Sequence, residues 1–373
     1  MIAAILGAVS LTVGCALFLF LAHGLWLTWQ PHRRKHCARR LAMPINLSVL
    51  KRKDFNDGLF TLTLAHPNGR MLPGYRPGQY LTLLIEADGN RSSLKRCYSL
   101  ASWQPNPACY ELAIRQVSGG RVSTWLHRNM QSGSNIRVLP PRGEFTLHES
   151  SGDVALIAGG IGITPIRAML HALLADNDLK QGRIVLFYAA RYFDDLLYHK
   201  EFIAAARQHA NFRYLPILSK PGPDWQGQCG RLDAQTVLHR LNDFSQTDFY
   251  LCAGSSMMDA ISAGLQESGI ITGRIHFERF NPGEFNADDT TYRITLEGYE
   301  AFEFKGAPTL LHGLEQAKIA VESDCRAGHC GVCRVKVLSG NVRWLLPKEA
   351  ALAEDEILSC CVTPQSDLSL VRP

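Results

Sequence analysis

Hydrophobic and polar positions divide the chain into four regimes. From Ile2 to Leu27 the run is almost unbroken and apolar, relieved only by residues such as Ser10, Thr12 and His23, and no Lys, Arg, Asp or Glu precedes Arg33. As a helix this run would be roughly 39 Å long, enough to cross a hydrocarbon core of about 30 Å with some tilt. Trp26 and Trp29 fall where an interfacial aromatic belt sits, and a basic cluster follows at once. The expectation is a transmembrane anchor over residues 1–30 and a basic linker over 31–43, with the chain beyond on the cytoplasmic side. A cleaved signal peptide would need a positive first segment, which Met1-Ile2-Ala3 lacks, and a shorter apolar stretch.

Over residues 44–150 the pattern becomes short β-runs punctuated by Gly and Pro: Leu59–Leu64, Tyr80–Ile85, Cys109–Gln116 and Asn135–Leu139. Regular short strands of this kind predict a small antiparallel β-barrel. Over 151–280, apolar strands alternate with helical segments. Val154–Ala158, Arg183–Ala189, Tyr214–Leu218 and Phe249–Cys252 read as strands, and Pro165–Leu174 and Glu201–Gln208 as helices. This alternation predicts a parallel, doubly wound α/β sheet. Residues 281–290 are polar, contain Pro282 and Gly283, and read as a linker; residues 291–373 form a compact third unit.

Charge narrows the function little. The net charge is +5, and Arg33, Arg34, Lys35, Arg39 and Arg40 account for it, so no basic face for nucleic acid is indicated. The 11 cysteines are odd in number and unevenly spread, which argues against a disulfide framework and for a reducing compartment.

Cys325, Cys330 and Cys333 have C-x4-C-x2-C spacing, and Cys360 and Cys361 follow as candidate fourth ligands. Four thiolates can hold two irons, and Gly328 and Gly331 let the loop curl so that amides point at sulfur. Zinc more often uses two C-x-x-C pairs. In Arg96-Cys97-Tyr98-Ser99, an aromatic ring can cover an isoalloxazine, a hydroxyl can bond its edge, and a guanidinium can hold pyrophosphate. Gly119-Gly120-Arg121-Val122-Ser123 resembles a loop and helix N-terminus that take a pyrophosphate, which implies a binding role for Gly120, Val122 and Ser123, since free amides and the helix dipole favour an anion. Gly160, Gly162, Thr164 and Pro165 follow the strand Val154–Ala158 and open another helix, with Thr164 as its expected cap. Arg191 ends the second nucleotide strand, where it can reach a 2′-phosphate or lie along the adenosine. NADH is preferred over NADPH because no second basic residue follows it nearby in the chain.

These motifs, together with Pro77-Gly78-Gln79-Tyr80 and Pro141-Arg142-Gly143-Glu144-Phe145, resemble those of the ferredoxin–NADP reductase superfamily. Specifically, the chain is similar to its three-part FAD, NAD(P)H and C-terminal plant-type [2Fe–2S] reductases. The resemblance implies an α+β, β-grasp ferredoxin-like third unit. It implies FAD, with FMN as the alternative, and Cys360 as the fourth ligand through the match of Ile357-Leu358-Ser359-Cys360. Adjacent strand residues face opposite ways, so Cys361 is expected to point away. The resemblance places Cys252 near the nicotinamide, although Ala253 and Gly254 replace the family's Gly and Pro, and Glu278 near the flavin. Ser99, Cys252 and Glu278 are thus the candidate catalytic residues. The implied activity is an oxidoreductase: hydride passes from NAD(P)H to flavin, and single electrons leave through the cluster. With the bilayer anchor added, the expected acceptor is a membrane-associated oxygenase, desaturase or hydroxylase. A quinone or a hybrid-cluster protein is the alternative acceptor. Glu354-Asp355-Glu356 is expected to dock a basic partner.

Overall fold

The computed structural model describes residues 43–56, 58–85, 94–117, 120–148, 152–175, 182–241, 244–280, 290–328, 330–346 and 352–372. The expected anchor, the basic linker up to 42 and residues 281–289 lie outside the described residues. Among the described residues, no helix is long and apolar enough to cross a membrane. Residues 44–373 form one compact unit built on three sheets and a small hairpin-like pair.

The first sheet contains β1 (Ile45–Asn56), β2 (Leu59–Ala65), β3 (Tyr80–Ile85), β4 (Leu94–Ser99), β5 (Cys109–Arg115) and β6 (Asn135–Arg142). All pairings are antiparallel, in the order β4-β3-β6-β1-β2-β5, and a bridge between Leu100 and Leu112 joins the two ends. The sheet therefore closes into the expected barrel around Leu47, Phe60, Leu62, Leu83 and Leu112. The sequence hides β1 behind Lys51-Arg52-Lys53-Asp54. Arg52 explains the charge there. Its guanidinium lies 4.5 Å from the Phe60 ring centre and donates to the carbonyls of His127 and Met130 at the end of α1 (Arg121–Asn129). A cation at a helix C-terminus is favoured by the dipole and by the free carbonyls.

The second sheet holds β7 (Val154–Gly159), β8 (Ile184–Ala190), β9 (Phe212–Leu218), β10 (Gln228–Cys229), β11 (Asp248–Cys252) and β12 (Ile275–Phe277). They are parallel, in the order β10-β9-β8-β7-β11-β12. The helices are α2 (Ile163–Ala175), α3 (His199–Gln208), α4 (Ala234–His239) and α5 (Ser255–Glu267). The chain leaves β7 in one direction and returns on its other side at β11. The carboxyl ends of β7 and β11 are thus the switch point where such sheets bind ligands.

The third sheet joins β13 (Tyr292–Leu296), β14 (Phe302–Phe304), β15 (Arg334–Ser339), β17 (Glu356–Leu358) and β19 (Leu368–Val371) in the order β14-β13-β19-β15-β17. Only β13 and β19 run parallel, and α6 (Leu310–Gln316) packs against the sheet. A separate pair is formed by β16 (Val342–Trp344) and β18 (Val362–Pro364). The α+β expectation is met.

A buried cation joins the first two sheets. Arg167 on α2 is 8% exposed. It makes two 2.8 Å bonds to Glu201 on α3, one of 3.2 Å to Glu111 on β5, and one of 2.6 Å to the Ala101 carbonyl. The Tyr198 ring lies 3.9 Å beneath it. Burial alone would raise the Glu201 carboxyl, but bonds from His171 and Arg167 outweigh it and bring it down to about 2. A depressed folded value contributes stability that is complete above the unfolded value of about 4.3 and is lost as pH falls towards 2. Arg167→Met is expected to cost about 2 kcal/mol in urea unfolding at neutral pH. The gap between variant and parent should narrow as pH falls from about 4.3 towards 2, because the unfolded chain, and then folded Glu201 itself, takes up the proton and the pairing with Arg167 no longer favours the folded state.

Candidate active site

Ser99 ends β4 and is 5% exposed; Glu278 follows β12 and is also 5% exposed. Their side chains meet across the two sheets, with Ser99 Oγ donating to Glu278 Oε2 at 3.1 Å. The Glu278 amide donates to the Leu251 carbonyl at 3.1 Å, which sets Glu278 beside Cys252 at the end of β11. Cys252 is fully buried. Burial first, and the Glu278 charge second, push its thiol well up, so it stays neutral at physiological pH. The three expected catalytic residues are therefore brought together from three separate segments.

The nucleotide loop fits against the same point. A Cβ on Gly162 would sit 2.0 Å from the Cys252 carbonyl oxygen, and one on Gly159 would sit 2.7 Å from the Ala253 Cβ. Gly160 differs: its φ is +53° and open space lies beside it. Two glycines thus press the loop onto the Cys252 strand end, while the third leaves room for a dinucleotide to approach the backbone. Thr164 does not cap the helix. The helix begins at Ile163, and Thr164, 2% exposed, donates from its hydroxyl to the Ile161 carbonyl at 3.1 Å. Pro165 is buried in the same first turn. Arg191 is exposed just past β8, as expected. The fold, however, brings Lys220 beside it through a 2.9 Å backbone bond from Lys220 N to Arg191 O. The parallel strands thus supply the basic neighbour that the linear sequence lacks, and the ground for preferring NADH disappears.

On the flavin side, Arg96 and Tyr98 share β4 with Ser99 and are half-buried; burial pushes the Tyr98 phenol up to about 12. The motifs Pro77–Tyr80 and Pro141–Phe145 close on each other. Gly78, at φ +97°, would place a Cβ 2.0 Å from the Phe145 carbonyl, and Gly143, at φ +123°, would place one 3.0 Å from the Tyr80 ring. Gly120 is the N-cap residue of α1, without a side-chain cap. Ser123 accepts from the Val117 amide at 3.1 Å and shapes the loop, while Val122 packs on the barrel core. The backbone amides of this helix end are what remains for a pyrophosphate.

The thiols gather as two pairs. Cys333 Sγ is 3.2 Å from Cys360 Sγ. Cys325 Sγ lies against Cys330 and, with burial, pushes that thiol up; Cys360 and burial do the same to Cys333. The Ala327 and Cys330 amides each donate to Cys325 Sγ at 3.4 Å. Among the described residues, no three His, Cys, Asp or Glu side chains converge on one ion. Two thiols per iron is what a two-iron cluster requires, whereas a lone tetrahedral zinc needs four around one point. Arg326, Gly328 and Gly331 at φ +56°, +89° and +66° curl the loop.

One expectation fails here, and a second is narrowed. Cys361 does not point away: residues Ser359–Cys361 form a 3-10 turn, and Cys361 Sγ lies 3.4 Å from Cys360 Sγ. Successive residues of such a turn are about 120° apart, not 180°. Of the acidic stretch, Glu354 and Asp355 are exposed, but Glu356 is no surface carboxylate. It is 9% exposed and bonds Arg334 at 3.1 Å, and Asp355 pairs with Lys336 at 3.1 Å. One contact was not foreseen: Arg142 of the flavin sheet lies 3.6 Å from Asp324, which precedes Cys325 and is 4% exposed. Opposite charges at the variable positions of two motifs were the available signal.

Comparison with known proteins agrees with this architecture. The oxidoreductase FAD-binding domain family matches residues 47–147, the oxidoreductase NAD-binding domain family residues 156–263, and the 2Fe-2S iron-sulfur cluster binding domain family residues 294–365. The ferredoxin reductase component of 3-ketosteroid-9-alpha-monooxygenase from Mycolicibacterium smegmatis is 30% identical over 79% of this chain and 85% of its own length. The glycine betaine monooxygenase reductase subunit of Pseudomonas aeruginosa is 28% identical over 79% of this chain and 86% of its own length. The fold of phthalate dioxygenase reductase superposes with a TM-score of 0.64 at 23% identity, over 88% of this chain and 97% of that one. The chain belongs to the ferredoxin–NADP reductase-like family that joins FAD-binding, NAD-binding and [2Fe–2S] domains in that order. It is an NAD(P)H-dependent electron-transfer oxidoreductase whose cofactors are FAD and a [2Fe–2S] cluster.

Gly162→Ala tests the loop geometry. The added methyl must displace the Cys252 carbonyl, an overpacking cost of about 1–3 kcal/mol. Flavin bleaching by NAD(P)H in anaerobic stopped flow should then require about 10–100-fold more nucleotide, while the FAD content stays that of the parent.

Proposed function

We propose that the protein is the reductase of an oxygenase-type system at the cytoplasmic face of a membrane, and that Ser99, Cys252 and Glu278 surround the point of hydride transfer. The observation that carries the electron path is the Arg142–Asp324 pair, which sets the cluster loop directly against the flavin sheet. Bound NAD(P)H supplies two electrons together, FAD can hold one or two, and the cluster accepts one, so the cofactors convert a pair into single electrons. This chain's residues position them. Arg96 and the first turn of α1 are suited to the FAD pyrophosphate, Tyr98 to its ring, and Gly160 and Arg191 to the dinucleotide. Cys325 and Cys330 then hold one iron, and Cys333 and Cys360 the other. The names of the relatives support an oxygenase as acceptor, because two are monooxygenase reductase components. The apolar run Ile2–Leu27 and its basic flank support the anchor.

The electron path is tested by following flavin and cluster absorbance separately after anaerobic mixing with NADH. Arg142→Ala should leave flavin bleaching unchanged and slow cluster reduction about tenfold, as expected for about 1.4 kcal/mol of lost docking. Equal slowing of both phases would remove the role given to this contact. The anchor is tested by cell fractionation. The full chain should sediment with membranes and resist high-salt washing, whereas a chain starting at Pro44 should stay in the supernatant and still reduce ferricyanide.

A further inference from the structure

Cys361 is fully buried, yet it is not merely filling the core. Its sulfur lies 3.4 Å from Cys360 Sγ and against the cluster loop, where a Cβ on Gly328 would meet it at 2.9 Å. The 3-10 turn Ser359–Cys361 presents both thiols to the same side, and Ser359 fixes that turn. The Ser359 amide and hydroxyl both donate to the Cys333 carbonyl, at 3.0 and 2.9 Å. A fifth thiol therefore sits at a four-thiol site, within one sulfur diameter of a ligand. The geometry points to Cys361 as a reserve ligand: when Cys360 is lost, Cys361 binds the iron that Cys333 also holds. The exchange balances simply. The iron–sulfur bond of Cys360 is replaced by one from the Cys361 thiolate, the thiol proton leaves to solvent, and no electron changes hands.

This inference rests on the [2Fe–2S] assignment, and the two can fail separately. If the parent protein contains no iron and acid-labile sulfide, the assignment fails; if the parent is loaded, only the reserve role is at stake. Iron and sulfide per FAD, with the EPR spectrum after dithionite reduction, are measured in four proteins: Cys360→Ala, Cys361→Ala, Cys360→Ala/Cys361→Ala, and Cys360→Ala/Cys361→Ser. Cys361→Ala should keep the iron and EPR spectrum of the parent. Cys360→Ala should keep about half or more of the iron with a shifted spectrum, while the double alanine variant should fall below about a tenth. The serine combination preserves side-chain volume, so its loss of iron relative to Cys360→Ala separates ligation from packing. Cys360→Ala as empty as either double variant would overturn the reserve role. So would loss of the cluster in Cys361→Ala alone, which would make Cys361 the primary ligand.

Discussion

The arrangement of the candidate site depends on one buried guanidinium. Arg167 leaves the nucleotide helix α2, and its bonds end on Ala101 and Glu111 of the flavin barrel and on Glu201 of the nucleotide domain. An ion of this kind cannot be left half-paired, because an uncompensated buried charge costs several kcal/mol. The domains therefore have one docked arrangement that satisfies it. That arrangement also brings Ser99, at the end of a flavin strand, within 3.1 Å of Glu278, beyond the last nucleotide strand. Two polar side chains that are each 5% exposed thus meet at the interface that the buried cation also spans.

Close backbone approaches sharpen the same interface. Gly78 packs under the Phe145 carbonyl and Gly162 under the Cys252 carbonyl. Each leaves less room than a methyl group requires, so barrel, loop and sheet are held by backbone contact as well as by charge. Cys252 is thereby held as a neutral, fully buried thiol at the end of β11, beside the Glu278 carboxylate.

Much of this was legible in the sequence, for identifiable reasons. β3 has the span its alternation predicts, and α2 and α3 extend their predicted cores by a residue or two, because apolar period and turn residues agree there. The strand β1 was hidden because its charges serve a helix end and an aromatic face that only the fold brings near. Arg167 was invisible for the same reason: one arginine in an apolar helix says nothing about carboxylates on two distant elements. The ligand spacing was readable, but the direction of Cys361 was not, since strand alternation gave way to a 3-10 turn. Likewise Lys220 joins Arg191 only through the pairing of β8 and β9.

The cluster module also carries a buried charge that is paired from outside the module. Asp324 is 4% exposed and adjoins the first ligand, so its carboxylate stands beside thiolates that are anionic whenever iron is held. Within its own module the nearby Arg326 is paired with Glu315. The cation that faces Asp324 is Arg142, which belongs to the flavin barrel. A buried carboxylate next to other anions is tolerable only with such a partner. The ferredoxin-like module is thus tied to the flavin-side barrel by a buried charge as well as by the chain itself.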